Sequence, residues 1–313
     1  AQARDPTQAV PPPQIRADDR LVRLAAIASV ATAGVLIIAK LAAWFFTDSI
    51  AMLSSLVDSL LDIGASTLNL LAVHHARTPA DSEHRFGHGK IEALAALAQA
   101  AFIAGSAFFL VFQAARRLIT PTPLEHGAVG IWVMVGSIAA TAALVLFQRH
   151  VMRHTNSMAI EADALHYVTD LLTNAAVILA LWLSTEFGWL RADPIITALL
   201  AVYILVSAAQ IARKALDMLM DRELPEDERE RIIALVRAEP RVRDLHDLRT
   251  RRSGPQVFIQ LHLELDGSMP LREAHTVATA VEESLRAAFP RADVLIHEDP
   301  QGIEEPRSGL PLV

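Results

Sequence analysis

The sequence predicts a membrane α-helical protein: six transmembrane helices followed by a cytoplasmic α+β domain with the order αββαβ. Three observations predict it. Of the 313 residues, 52% are hydrophobic and only 20% charged, with a mean hydropathy of +0.33, a balance outside the range of ordinary soluble domains. Six apolar stretches reach the roughly 20 residues that a spanning helix needs. Charged residues are sparse between Leu24 and Ile211 and crowd the chain after Arg213, so a membrane half is followed by a soluble part of about 90 residues, enough for one small core.

The expected domains are a tail at 1–19, a transmembrane domain at 20–213, a cytoplasmic domain at 214–300 and a flexible end at 301–313. The first segment is polar and carries Pro11 to Pro13. It lacks the apolar centre of a signal peptide and reads as disordered. The spans are expected near 22–46, 50–75, 91–118, 128–149, 157–186 and 193–213. Between them stand Thr47-Asp48-Ser49, a polar His-rich segment at 76–90, Pro121 and Pro123, the basic group Arg149, His150, Arg153 and His154, and the stretch Gly188 to Pro194, all of which punctuate helices. With six spans, Arg16, Arg20, Arg23, Arg77, Arg85, Lys90, Arg149, Arg153, Arg213 and Lys214 fall on one side, against Arg116, Arg117 and Arg191 on the other. The positive-inside bias puts both termini in the cytoplasm.

In the soluble part, Pro225 opens a helix whose first turn is Glu226, Asp227 and Glu228, matching the positive end of the helix dipole. A strand is expected at 242–251, a turn at Ser253-Gly254-Pro255, and a strand in which Val257, Ile259, Leu261, Leu263 and Leu265 alternate with Phe258, Gln260, His262 and Glu264, the period of a half-buried strand. A helix from Pro270 to Phe289 and a short strand from Asp293 to His297 complete it, and such an order packs helices on one sheet face.

The net charge of -7 argues against a nucleic-acid partner. With no cysteine, a disulfide is impossible and any metal site must use His, Asp or Glu. Asp58 and Asp62 sit four apart inside the second span, and His166 and Asp170 four apart inside the fifth, so each pair shares one helix face. A lone Asp near a helix end can cap it or snorkel, and a lone His is usually hydrogen-bonded. Each charge deep in an apolar span, however, costs at least about 2.5–3.5 kcal/mol, and two such pairs are not explained by packing. Facing each other, they supply four hard or borderline ligands for a tetrahedral ion such as Zn2+. Cadmium suits the same ligands and ferrous iron tolerates them. Glu161 and Asp163, near the start of the fifth span, are assigned to the interface, and the role of Lys40 stays open. Three ionised carboxylates together in low dielectric are unfavourable, so without metal they are expected to bind protons that metal displaces.

In the loop after the second span, Asp81, His84 and His88 could hold one metal, and His74 and His75 just before it could be interfacial or ligating. The soluble part carries His246, His262, His275 and His297 with Asp247 and Asp299. By spacing alone they are a metal cluster or ordinary surface groups.

Taken together, Asp58-x-x-x-Asp62, the run Phe86-Gly87-His88-Gly89-Lys90, His166-x-x-x-Asp170 and Met220-Asp221-Arg222 resemble the cation diffusion facilitators. Arg249-Thr250-Arg251 with Ser253-Gly254-Pro255, and His297-Glu298-Asp299-Pro300, extend the likeness to the soluble part. The resemblance covers about Arg20 to Pro300. It implies a homodimer of the bacterial inner membrane that exports a divalent metal, with a metallochaperone-like soluble domain. It also implies a transport site at Asp58, Asp62, His166 and Asp170, a second site at Asp81, His84 and His88, and a binuclear site at His246, His262, His297 and Asp299 to which His275 contributes. Lys90 and Asp221 match a charged pair that interlocks the protomers. An intramembrane metal hydrolase is the rival enzyme reading, opposed by four ligands that would close the zinc site. A metal sensor without transport is the other rival.

Overall fold

The computed structural model describes residues 13–47, 50–119, 128–155, 157–189 and 191–302. Asp48 and Ser49, Pro121 and Pro123, the first twelve residues and the end from 303 lie outside the described residues. The chain divides into two units, Ala1–Leu219 and Met220–Val313.

The first unit holds α1 (Pro13–Thr47), α2 (Ile50–Ala76), α3 (Lys90–Ile119), α4 (Ala128–Thr155), α5 (Met158–Phe187) and α6 (Ala192–Leu219). All six are long and apolar enough to cross a membrane. Three ends differ from expectation. Residues 13–19 are helix rather than tail: Pro13 stands at the helix start, where a missing N–H costs nothing, and Asp19 is held at 3.1 Å by Nε of Arg77, the residue that follows α2. The fourth span continues past 149 to Thr155, because Val151 is fully buried with Val22, Ala25 and Ile160 while His150 and Arg153 stay exposed. The sixth runs past 213 to Leu219, because Ala215 packs into a cluster with Ala93 and Ala96 of α3.

Small residues let the helices approach. Ala93, Ala96, Ala100 and Ala107 of α3 meet Ala208, Ile211 and Ala215 of α6. In lipid, where the solvent is as apolar as the side chains, close backbone packing of this kind drives helix association. Val35, Ile38, Phe108, Phe112, Leu146 and Leu199 are each more than 60% exposed, an apolar surface suited to lipid and not to water.

Arg77 also donates to Glu92 of α3 at 2.7 Å, and Glu92 accepts from Ser157 Oγ beside α5 at 2.9 Å. Glu92 is thus buried but paired. Glu161 pairs with Lys214 of α6 at 2.6 Å. Asp163, expected beside it at the interface, is instead fully buried, because α1 and α4 cover that face of α5 with Ser29 and Gln148.

The second unit is α7 (Glu226–Arg237), β1 (Asp244–Ser253), β2 (Gln256–Leu265), α8 (Leu271–Ala288) and β3 (Ala292–Pro300), with sheet order β1-β2-β3. β1 and β2 are antiparallel, and β2 and β3 parallel. Gly254, at φ +57°, precedes Pro255 in the two-residue hairpin loop; glycine supplies the positive φ that such a loop requires at its first position. Val257, Ile259, Leu261 and Leu263 bury one sheet face against Ile232 and Val236 of α7 and Val277, Val281 and Leu285 of α8. Phe258, on the other face, is nonetheless 3% exposed, because the Arg251 guanidinium lies 4.4 Å over its ring. Leu261→Ala is expected to cost about 2–5 kcal/mol, read as faster amide hydrogen exchange across β2 in the detergent-solubilised chain.

Candidate metal centres

Inside the bundle, α2 brings Asp62 against His166 and Asp170 of α5. His166 Nε2 lies 3.1 Å from Asp62 Oδ1 and 3.7 Å from Asp170 Oδ2. The three ligand atoms lie within 4.8 Å of one another. The Nε2 atom is buried and makes no directed hydrogen bond; it is aimed between two carboxylates, as a ligand shared with an ion would be. Phe102 of α3 and Tyr167 flank the imidazole edge-on, with centroids at 6.0 and 5.3 Å, which fixes the ring. An imidazole and two carboxylates are a borderline donor set, suited to zinc-like ions and capable of binding others.

Asp58 is not part of this group. One turn earlier on α2, its side chain is exposed. Beside it, Lys40 Nζ of α1 donates to Ser59 Oγ at 2.6 Å and to the Ser55 carbonyl at 3.2 Å. Lys40 therefore bonds to polar atoms of α2, and no carboxylate among the described residues forms an ion pair with it. Ser59 escaped the sequence reading because a serine within a span carries no periodic signal.

The loop after α2 folds around Asp81. The backbone N–H groups of His84 and Glu83 donate to Asp81 Oδ1 at 2.6 and 3.0 Å, an Asx-type turn. The His84 bond first, then that from Glu83, holds the Asp81 carboxyl below the usual carboxylate range, so at neutral pH it is ionised and competent to bind a cation. Gly87, at φ +77°, turns the chain and brings His88 back: its Nε2 is 3.5 Å from Asp81, and the His84 and His88 rings are 4.6 Å apart. His88 Nδ1 is buried without a partner. Two imidazoles, one with an orphaned nitrogen, and one carboxylate fit a transition-metal ion. His75 Nδ1 bonds instead to the Leu71 carbonyl at 3.0 Å. Lys90 Nζ bonds to the Leu219 carbonyl at 3.3 Å within the first unit.

In the second unit, strand register builds the cluster. His246 of β1 lies directly opposite His262 of β2, which lies beside His297 of β3. The ring centroids are 5.0 and 4.7 Å apart. Asp299, two residues after His297 and so on the same face, reaches all three: His262 Nδ1 at 2.8 Å, His297 Nε2 at 3.2 Å and His246 Nε2 at 3.4 Å. A bulge between His246 and Arg249, with Asp247 at φ +49°, shifts the register by one residue there and so sets which face His246 occupies. His246, His262 and Asp299 have ligand atoms within 4.8 Å of one another, and the set fits a metal ion by its donor chemistry. His275 on α8 stands apart, 78% exposed and 3.9 Å from Glu298. Glu264, missed in the sequence as a surface strand position, lies 3.2 Å from His246 Nδ1, and orienting carboxylates of this kind commonly hold ligating imidazoles. Asp247 faces Arg249 at 3.0 Å, and Asp221 pairs with Arg251 at 3.1 Å.

A helical bundle that spans a membrane and buries a carboxylate–imidazole centre between two of its helices has the build of a cation transporter. The chain belongs to the cation efflux family. The family's transmembrane-domain model matches residues 26–220, and its cytoplasmic-domain model matches residues 224–301. The chain is 49% identical over 284 residues to a cation-efflux pump FieF of Klebsiella pneumoniae, covering 91% of this chain and 94% of the relative. It is 49% identical over 290 residues to that of Escherichia coli K12, covering 93% and 96%. A solved structure, the metal-bound C-terminal domain of the CzcD transporter from Thermotoga maritima, is 29% identical over 26% of this chain and 100% of its own, with a TM-score of 0.25. The protein is therefore a multi-pass membrane protein of divalent-cation efflux.

Proposed function

We propose that this chain exports a divalent transition metal from the cytoplasm in exchange for protons. Zinc is the first cargo, and cadmium and ferrous iron are further candidates. The observation that carries the reading is the convergence of Asp62, His166 and Asp170 from two helices on one point inside the bundle. Asp58, outside the trio in this conformation, would join it as the fourth ligand during transport, since residues four apart lie one above the other on α2.

The chemistry follows from charge. Three carboxylates without a cation are unfavourable in a low-dielectric bundle, so protons neutralise them. A divalent ion needs those carboxylates deprotonated, and its arrival releases the protons. Exposing the centre to one side and then the other couples the two fluxes. Both termini then face the cytoplasm of an inner-membrane protein, in accord with the basic flanks.

The loop group Asp81, His84 and His88 would hold a second metal ion. The soluble group would hold one or two more through His246, His262, His297 and Asp299. His275, exposed on α8, is suited to reach a ligand set on a partner protomer. A homodimer is supported by the sheet face opposite the core, which leaves Leu295 63% exposed beside the histidines. Lys90 and Asp221 would interlock the two protomers. Metal in the soluble domains would bias the bundle toward a transport-ready state.

Proteoliposomes test this. Zinc uptake driven by an opposing pH gradient, with cadmium and ferrous iron competing more strongly than manganese, is expected. Uptake indifferent to the gradient would exclude the exchange, and no movement of any metal would favour the hydrolase or sensor alternatives.

A further inference from the structure

Asp163 precedes His166 by one turn on α5 and takes no part in the centres above. Its side chain is fully buried. One oxygen, Oδ2, accepts from the Ser29 hydroxyl of α1 and from Gln148 Nε2 of α4, the latter at 2.7 Å. Gln148 Nε2 also donates to Ser29 Oγ at 2.9 Å. Tyr167 extends the cluster: its hydroxyl donates to the Ser29 carbonyl at 3.1 Å and shares a bond with Ser66 of α2 at 2.9 Å.

Two oxygens in this cluster lack a donor, Asp163 Oδ1 and Gln148 Oε1. No lysine or arginine among the described residues forms an ion pair with Asp163. His166 and Tyr167 lie on its own helix. α1 and α4 face it with uncharged Ser29 and Gln148, and α2 hydrogen-bonds to the cluster through Ser66 while its Asp62, with Asp170 of α5, acts on Tyr167 as a further negative charge rather than as a counter-ion. α3 and α6 direct Glu92 and Lys214 to Ser157 and Glu161 instead. Glu92 is the contrast: it is as deeply buried, but Arg77 neutralises it at 2.7 Å.

An ionised carboxylate without a counter-ion is costly in such surroundings. A proton on Oδ1 removes the charge and adds a donor to a cluster that has acceptors to spare. We propose that Asp163 is a proton-binding site separate from the metal-binding carboxylates, which holds one proton in this conformation and keeps it when metal occupies Asp62, His166 and Asp170. The neutral carboxyl closes α1, α4 and α5 on one another. The assignment does not require that the metal be transported.

Infrared spectroscopy of the full chain in lipid, with its aspartates 13C-labelled at the carboxyl, tests it at neutral pH and saturating zinc. Zinc strips the protons from the metal centre. A protonated-aspartate carbonyl band is expected to survive zinc and to be lost in Asp163→Asn, whose neutral, isosteric amide preserves the cluster. Absence of such a band, or a band unchanged in Asp163→Asn, overturns the proposal. Should Asp163→Asn fail to fold, Ser29→Ala decides: it removes a hydrogen bond to Asp163 and must move the surviving band, and a band that stays in place overturns the proposal equally.

Discussion

Asp62→Ala is expected to abolish metal flux in proteoliposomes while leaving the bundle folded. Asp62 is the nearest carboxylate to His166, at 3.1 Å, and the only ligand in the assembled trio that α2 contributes. Without it the centre retains His166 and Asp170, an i,i+4 pair on a single helix. Such a pair can touch an ion but cannot clamp it between two helices. Loss of a group that merely orients a ligand commonly costs 10–100-fold in metal affinity, so loss of a ligand is expected to cost about 100-fold or more. The fold should survive, because the change removes one of several like charges and no large apolar side chain. Asp58→Ala gives the graded comparison: exposed and outside the trio, it should weaken flux less if it joins only during transport. Wild-type flux in Asp62→Ala would end the reading of this centre.

Asp299→Ala is expected to eliminate the zinc-dependent rise in the thermal unfolding midpoint of the soluble domain. Asp299 is 5% exposed yet reaches His246, His262 and His297, at 3.4, 2.8 and 3.2 Å. Replacing it removes a carboxylate common to three imidazoles. A ligand present at a hundred times its dissociation constant stabilises the folded state by about 2.7 kcal/mol, and Asp299→Ala should forfeit most of that. His275→Ala, remote from the cluster within this chain, should lower the metal response only under conditions where two protomers associate. An unchanged zinc response in Asp299→Ala would remove the soluble centre from consideration.

The chemistry of both centres was legible in the chain because membrane spans and strands have simple periods. Two acid-bearing pairs at a spacing of four identify themselves once the spans are counted, and His297 and Asp299 share a face by alternation alone. Phe258 shows where alternation misleads: it falls on the open face of β2, yet Arg251 covers it, a contact that no local pattern announces.

Composition, hydropathy and residue spacing determined the helix count, the order of elements in the soluble domain and the ligand types, since these depend on residues near in sequence. Only the tertiary structure decided that Asp62 meets His166 while Asp58 does not, that a one-residue bulge lines up three histidines around Asp299, and that Asp163 is sealed between α1 and α4 rather than lying at the interface. Each of these depends on helix rotation or strand register relative to distant segments, which packing of the whole chain sets and no local sequence period encodes.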